Sequence, residues 1–558
     1  MSHQGKLRNA IGFALLALAC TWPYFETLGF WPMTGDPALW IGRGTAVDPD
    51  WFSWVFLGDH FSWYRPLAAL SFTLDHALGG LNPLVYRLTD MGLHIAAGYL
   101  VLRLGRVLAP HRATWLAWVA AAIFMAHPGS DEVVPFMARR SYSLATVFGL
   151  SALCLLDQRP AGPGRARLLE TGCLLAAALL TNEAAIVLVP VALSILWRNN
   201  KDSTGRRVGA TLACALVSLP VVAALCLRTV VLVGLGGYGG DAVQATGAVE
   251  SLLSMWTTLT GLDWLAAMDG PTGLHLGNAL IGLTAVYFLV HATRSGSDAS
   301  DSRRPGTPLI ITLWLIGYAV LILWSGLWVE RQVYFLQAPF AWLATLLVAS
   351  AIEKCRGGPL TLALRLAPPL FILGCVFCAS PVVRGQREAR MEGWRERQQL
   401  LTHIEEDLAS LEGPACVHTV LPNMRRRFRT QSRGGQGFVH QSIRHPFSWS
   451  RVLVRRRDIT ISDWVYFDRA HGVPSLLAEP LPDGRAGLVL PAGGEYLVRP
   501  TPLASLPFEW IVWAPGFARR NENSPRVLAY DDLKRTAGRP CYVYVASPSG
   551  GELQRIPD

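Results

Sequence analysis

The chain has 558 residues, of which 51% are hydrophobic and only 16% charged. Soluble domains carry roughly 25% charged residues, so a wholly soluble globular protein is excluded. The shortfall is uneven: 10–380 holds repeated apolar runs, whereas 384–558 is ordinary mixed sequence with half of the 50 Lys and Arg. The net charge of +10 has an ordinary origin in a membrane protein, whose short loops carry basic residues that set orientation and meet anionic headgroups. No nucleic-acid module and no interleaving of Arg with aromatics occurs, so the expected surface partner is the lipid bilayer, not a nucleic acid.

In chain order, a short basic N-terminus precedes an apolar segment over 11–30. It contains Pro23 and Glu26, so a retained signal-anchor helix is expected. Further windows near the ~20-residue requirement of a bilayer helix lie at 84–108, 113–126, 142–157, 168–181, 184–197, 209–234, 274–292, 308–327, 332–352 and 360–380. The apolar but interrupted stretches 65–80 and 251–268 suit helices in the membrane interface. With Lys6 and Arg8 cytoplasmic, the loops on that side carry Arg103, Arg106 and Arg112, then Arg159, Arg165 and Arg167, and on to Lys354 and Arg356. The opposite loops are poor in Lys and Arg, and 235–273 has neither, a strong positive-inside pattern. About eleven spans then leave the N-terminus cytoplasmic and the C-terminal part outside.

The expected organisation is a transmembrane domain over 1–383, with a long first outer loop at 31–83, and a soluble extracytoplasmic domain over 384–558. That domain opens with Trp394, Leu400, Leu401, Ile404, Leu408 and Leu411 at helical spacing. Strand-like runs follow at 415–421, 458–467, 487–499, 510–514 and 541–546, so a small α+β domain is expected. Ten cysteines show no metal-like spacing, and no metal site is expected. Cys416 and Cys541 are the two in the C-terminal part; sequence alone leaves their pairing open.

The outer loops carry the chemistry. The first contains Gly35-Asp36-Pro37, Gly58-Asp59-His60 and Tyr64-Arg65-Pro66-Leu67. The second holds His127 to Glu132 and then Arg139-Arg140. A short break places Asn182-Glu183 between two apolar halves, and a fourth loop has Glu330-Arg331 with Tyr334 just beyond. Arg228 lies inside an apolar span near its outer end, where a charge is costly enough to indicate function or a partner. Carboxylates and guanidinium groups on one membrane face could supply a base and a phosphate clamp for a lipid-borne substrate. Read by itself, Asp36 is a solvated carboxylate beside a proline turn. Glu132 and Glu183 can pair with Arg140 and Arg331 or cap helices, and His94 is a buried polar group on an apolar helix.

The stretch from Tyr64-Arg65-Pro66-Leu67 through Ser71-Phe72, Leu74-Asp75 and Gly80-Leu81-Asn82-Pro83 to His94 resembles the polytopic GT-C glycosyltransferases. It is most similar to the O-mannosyltransferase-like group that often carries tetratricopeptide repeats. The likeness continues in order through Phe124, His127-Pro128, Glu132-Val133, Arg139 or Arg140, Asn182-Glu183, Pro190, Glu330-Arg331 and Tyr334. The resemblance implies a membrane hexosyltransferase, mannose among the candidate sugars, that moves sugar from a polyprenyl-phosphate donor to a protein or glycan acceptor outside the membrane. The lipid-linked sugar is then a co-substrate and no cofactor is implied. It also implies that Asp36, with Asp59 as the alternative, is the catalytic base. Arg139, Arg140, Arg331 and Arg228 would face the donor phosphate, supported by Tyr64, Arg65, His94, His127, Glu132, Glu183, Glu330 and Tyr334. Departures from the family stand at four places. A single Asp36 replaces paired acids, Asn182-Glu183 replaces Lys-Glu, Arg87 and Asp90 replace a His and an Asn, and no tetratricopeptide repeat follows. The expected placement is a bacterial inner membrane. A non-enzymatic flippase for lipid-linked saccharides and an inactive assembly partner are the alternatives from other classes.

Overall fold

The computed structural model describes residues 3–29, 51–57, 64–108, 114–156, 164–199, 204–232, 248–260, 307–325 and 330–353, with parts of 388–422 and the strands beyond. The chain divides into two compact units, one holding the described helices below residue 354 and one the described strands.

The helical unit runs α1 (His3–Thr21), α2 (Trp51–Leu57), α3 (Pro66–Gly79), α4 (Pro83–Leu108), α5 (Thr114–Ala126), α6 (Arg140–Leu155), α7 (Arg165–Leu179), α8 (Leu188–Asn199), α9 (Thr204–Leu232), α10 (Ala248–Leu259), α11 (Thr307–Ser325) and α12 (Val333–Glu353). Among the described residues, Leu7–Thr27, Pro83–Leu108 and Thr211–Leu232 are long and apolar enough to cross a bilayer. Shorter apolar helices occupy Thr114–Ala126, Thr307–Ile322 and Val333–Ala349. The protein is an integral membrane protein. The span expected at 184–197 is made of the 3₁₀ helix Glu183–Val187 followed directly by α8. The stretches expected at 274–292 and 360–380 lie outside the described residues.

Local chemistry sets the helix ends. Pro66 is the first residue of α3, and Arg65 before it is non-helical at φ −135°, as the proline ring requires of its predecessor. Gly80 closes α3 at φ +56°, where its N–H donates to the His76 carbonyl, a conformation that glycine adopts without steric cost. Asn82 accepts from the Leu84 N–H at 3.0 Å, and Pro83 then opens α4. At the far end of α4, Arg198 donates to the Val107 carbonyl and Thr307 to the Leu108 carbonyl. These side chains from α8 and α11 satisfy two of the acceptors that a helix C-terminus leaves without intrahelical partners.

Helix packing follows from small residues and one buried Trp. α7 packs along α9, and α4 packs against both α5 and α6. At Gly172 of α7 an added Cβ would lie 2.6 Å from the Val217 carbonyl oxygen, so the α7–α9 crossing depends on the missing side chain. Trp342 of α12 is fully buried and donates to the Val101 carbonyl of α4 at 3.3 Å.

In the second unit, six strands form one sheet in the order β6-β5-β2-β1-β8-β9. β1 (Ala415–Pro422) pairs in parallel with both β2 (Ile459–Phe467) and β8 (Cys541–Ser547). β5 (Tyr496–Val498), β6 (Ile511–Trp513) and β9 (Gly550–Arg555) extend it in antiparallel fashion. β3 (Ser475–Leu476), β4 (Gly487–Leu490) and β7 (Arg526–Ala529) make a second sheet. The run expected over 487–499 is therefore two strands in different sheets. Ile404, Leu408 and Leu411 are buried, whereas Trp394, Leu400 and Leu401 lie outside the described residues. Cys416 is buried and in register with Cys541 on the adjacent strand.

Candidate functional site

Among the described residues, three polar assemblies sit between the helices. The first is an inward-facing charge cluster. Arg140, at the start of α6, is fully buried and reaches Asp75 of α3 and Asp90 of α4 at 2.6 Å each. It also donates to the Tyr86 carbonyl at 2.9 Å and lies 4.4 Å from the Phe72 ring centroid. Thr89 donates to the second carboxylate oxygen of Asp75 at 2.7 Å, and buried Arg87 donates to the Pro135 carbonyl. Two acids and two bases thus cancel, the condition under which charge is tolerated in an apolar interior. Next to it, Arg139 pairs with Glu132 and with the Glu132 carbonyl, and its guanidinium lies 4.3 Å from the Phe136 ring centroid. Arg139 and Arg140, two of the four arginines expected at the donor phosphate, therefore point into the protein, onto carboxylates.

The second assembly fixes the segment between α5 and α6, which is buried from His127 to Met137. Nδ1 of His127 accepts from the Gly129 N–H at 3.0 Å, so Nε2 carries the proton and donates to the Leu259 carbonyl at 2.8 Å. Burial pushes this imidazole down to about 4, only partly opposed by the Leu259 bond. Gln337 of α12 lies 3.3 Å from His127 Nδ1 and accepts from Ser130 at 3.2 Å. One layer away, His94 contacts the Tyr334 hydroxyl at 2.8 Å and the Met125 carbonyl at 3.3 Å, with its ring stacked on Phe124. The Met125 contact requires a proton on Nε2, so Nδ1 accepts from the tyrosine. His94 and Tyr334 serve the packing of α4 on α12.

The third assembly is different in kind, because it is open on one side. Glu183 follows Asn182, whose side chain accepts from the Ala184 N–H at 3.1 Å and caps the short 3₁₀ helix Glu183–Val187. The Glu183 carboxylate accepts from Arg65 at 2.8 Å and lies 3.5 Å from Arg228. Its side chain is 34% exposed, against 12% for Arg65 and 6% for Arg228. Arg228 also donates to the Tyr64 carbonyl at 3.0 Å, and the Tyr64 hydroxyl donates to the Phe56 carbonyl of α2 at 3.0 Å. Arg65 and Asn182 both donate to the Ser141 hydroxyl, at 3.5 and 3.4 Å. The neighbouring Tyr142 hydroxyl accepts from Arg331 at 3.0 Å. Burial pushes the Glu183 carboxyl up, but Arg65 and then Arg228 outweigh it and hold it below the usual carboxylate range. A carboxylate so placed is a poor proton acceptor.

These contacts rearrange the expected partnerships. Glu132 pairs with Arg139 and not Arg140, and Glu183 with Arg65 and Arg228 and not Arg331. Arg65 meets Ser141 and Arg331 meets Tyr142, while Arg228 joins Arg65 at Glu183. Asp36, Asp59 and the side chain of Glu330 lie outside the described residues. The residues that sequence reasoning did not single out are Ser141, Tyr142, Gln337 and Asp75 as an ion-pair partner. For Asp75 a signal existed: with Arg87 and Asp90 it places three charges in adjoining apolar helices, and such charges need partners.

No family model matches the chain. Protein O-mannosyl-transferase Tmtc1 of Drosophila melanogaster is 36% identical over 150 residues, 26% of this chain and 17% of that protein. Protein O-mannosyl-transferase TMTC2 of Mus musculus is 38% identical over 100 residues, 18% of this chain and 12% of that protein. TMTC3 of the same organism is 30% identical over 132 residues, or 23% and 14%. The resemblance to the O-mannosyltransferase-like group thus holds in sequence, and the match spans less than a fifth of the length of these curated relatives. Two solved structures align at low similarity. The oligosaccharyltransferase of Archaeoglobus fulgidus has a TM-score of 0.41 at 14% identity, covering 73% of this chain and 59% of that one. ArnT of Cupriavidus metallidurans, bound to undecaprenyl phosphate, has a TM-score of 0.40 at 14% identity, covering 75% and 83%.

Proposed function

We propose that this protein is a membrane glycosyltransferase of the GT-C type that moves a hexosyl residue from a polyprenyl-phosphate donor to a protein or glycan acceptor. In this reading it sits in a bacterial inner membrane with its N-terminus in the cytoplasm and its acceptor side outside. The observation that carries the reading is the convergence of Arg65 and Arg228 on one partly exposed carboxylate at a break between helices. Guanidinium groups at partly desolvated positions are suited to hold a phosphate oxygen as the sugar leaves it, because their charge-assisted bonds strengthen as negative charge accumulates there. Arg139 and Arg140 are assigned to the frame, since their charges are consumed by Glu132, Asp75 and Asp90. The general base is assigned to Asp36, on the resemblance, with Asp59 the alternative. Glu183 is excluded from that role by its two cationic neighbours.

The test uses the purified full chain in lipid nanodiscs, given polyprenyl-phosphate hexoses one at a time together with an acceptor peptide. Release of free polyprenyl phosphate with sugar on the acceptor is the expected result. Asp36→Asn is expected to abolish it while the protein still inserts and purifies normally. Donor binding without bond cleavage would replace the enzyme reading with the flippase alternative.

A further inference from the structure

We propose that Glu183 is an exchangeable anion: it occupies the position between Arg65 and Arg228 that a phosphate monoester takes, and it yields that position when the ester binds. The inference rests on the phosphate-binding reading above and adds a residue that sets the affinity of that site. The geometry points to it in three ways. Glu183 is the most exposed member of the trio, so a solute anion approaching the two guanidiniums meets the carboxylate first. Its grip is unequal: 2.8 Å to Arg65, but only 3.5 Å to Arg228, whose closer bond is to the Tyr64 carbonyl. Arg228 and Arg65 are held from elsewhere, by Tyr64 and Ser141 respectively, so their positions do not depend on the carboxylate alone.

Charge counting agrees. Arg65, Arg228 and Glu183 together carry one positive charge, whereas a phosphate monoester carries about −1.5 to −2 at neutral pH. The two guanidiniums without the carboxylate match that charge, while a phosphate bound beside an unmoved Glu183 would face a like charge at close range. Glu183 begins a 3₁₀ segment that the Asn182 side chain caps at the Ala184 N–H, so that cap remains when the carboxylate rotates away.

The experiment measures binding of geranyl phosphate and of inorganic phosphate to the full chain in detergent, by titration calorimetry, for wild type and Glu183→Gln. Glu183→Gln is expected to bind geranyl phosphate about tenfold or more tightly than wild type. Tightening for geranyl phosphate alone identifies a lipid headgroup as the ligand, and equal tightening for both identifies free phosphate chemistry; either supports exchange. Equal or weaker binding by a variant that melts as sharply as wild type overturns the exchange and makes Glu183 a positioning residue. If neither protein binds either probe, the phosphate reading itself fails, and this inference with it. Should Glu183→Gln not accumulate, Glu183→Asp keeps the charge but shortens the arm by one methylene. Tighter binding than wild type supports exchange, and unchanged or weaker binding overturns it.

Discussion

Arg140 and Asp90 meet at 2.6 Å with essentially no exposure of either side chain, and Asp75 takes the other face of the same guanidinium at the same distance. Through this fork α6 is tied to α3 and α4. Breaking a buried pair leaves an uncompensated charge, typically about 3–5 kcal/mol. Arg140→Gln is therefore expected to lower unfolding stability by that amount, measured by thermal melts in detergent. A loss below about 1 kcal/mol would mean that the fork is solvated.

Arg228 divides its guanidinium between the Tyr64 carbonyl and Glu183. A lysine ammonium is a point charge and cannot reproduce this planar division. Arg228→Lys is expected to keep the fold and to reduce sugar transfer about 10- to 100-fold, the equivalent of one charge-assisted hydrogen bond. Initial rates at saturating donor check this; wild-type rates would remove Arg228 from the site.

His127 is held neutral by burial, with its ring nitrogens committed to Gly129 and Leu259. Its folded value near 4 lies below the ordinary ~6.5. The unfolded chain therefore binds the extra proton first as pH falls. The stabilisation is complete above about pH 6.5 and is lost progressively toward pH 4, by up to about 3 kcal/mol. Melting temperature against pH should fall more steeply for wild type than for His127→Gln across that window. Parallel curves would show that the imidazole titrates normally.

In the strand-bearing unit, the Tyr544 hydroxyl donates to the Asp407 carboxylate at 2.6 Å. Burial pushes this phenol up, and the hydrogen bond to Asp407 and that carboxylate's charge add to the shift. Tyr544→Phe removes a hydrogen bond to a charged group, worth about 1.5–3 kcal/mol. Chemical denaturation of the full chain should show a transition weakened by that amount, with geranyl phosphate binding unchanged. A change in binding would link this contact to the helical unit's site.

Much of the membrane architecture was legible in the one-dimensional pattern, because apolar runs long enough to cross a bilayer leave an unmistakable trace in sequence. Breaks were legible too. His127-Pro128, Asn182-Glu183 and Glu330-Arg331 all interrupt apolar runs, and each opens or borders a short 3₁₀ turn. The identities of the polar residues that matter, Arg65, Glu183, Arg228 and Arg331 among them, could be picked out because charge is rare and expensive beside apolar helices.

Their pairing was not legible. Sequence placed Arg139-Arg140 and Arg331 alike at a phosphate, and it offered Glu183 to Arg140 or Arg331 and not to Arg65. Adjacent arginines differ by about 100° around a helix, and which carboxylate each one meets depends on how α3, α4, α6 and α9 cross. Those crossings are set by contacts such as Gly172 against the Val217 backbone, between residues far apart in the chain. Composition and periodicity thus determined that this protein lies in a membrane and which few charges it retains there. Only the tertiary structure decided which of those charges cancel one another inside and which remain at an accessible face, because Coulomb energy depends on distances in space that the order of residues does not encode.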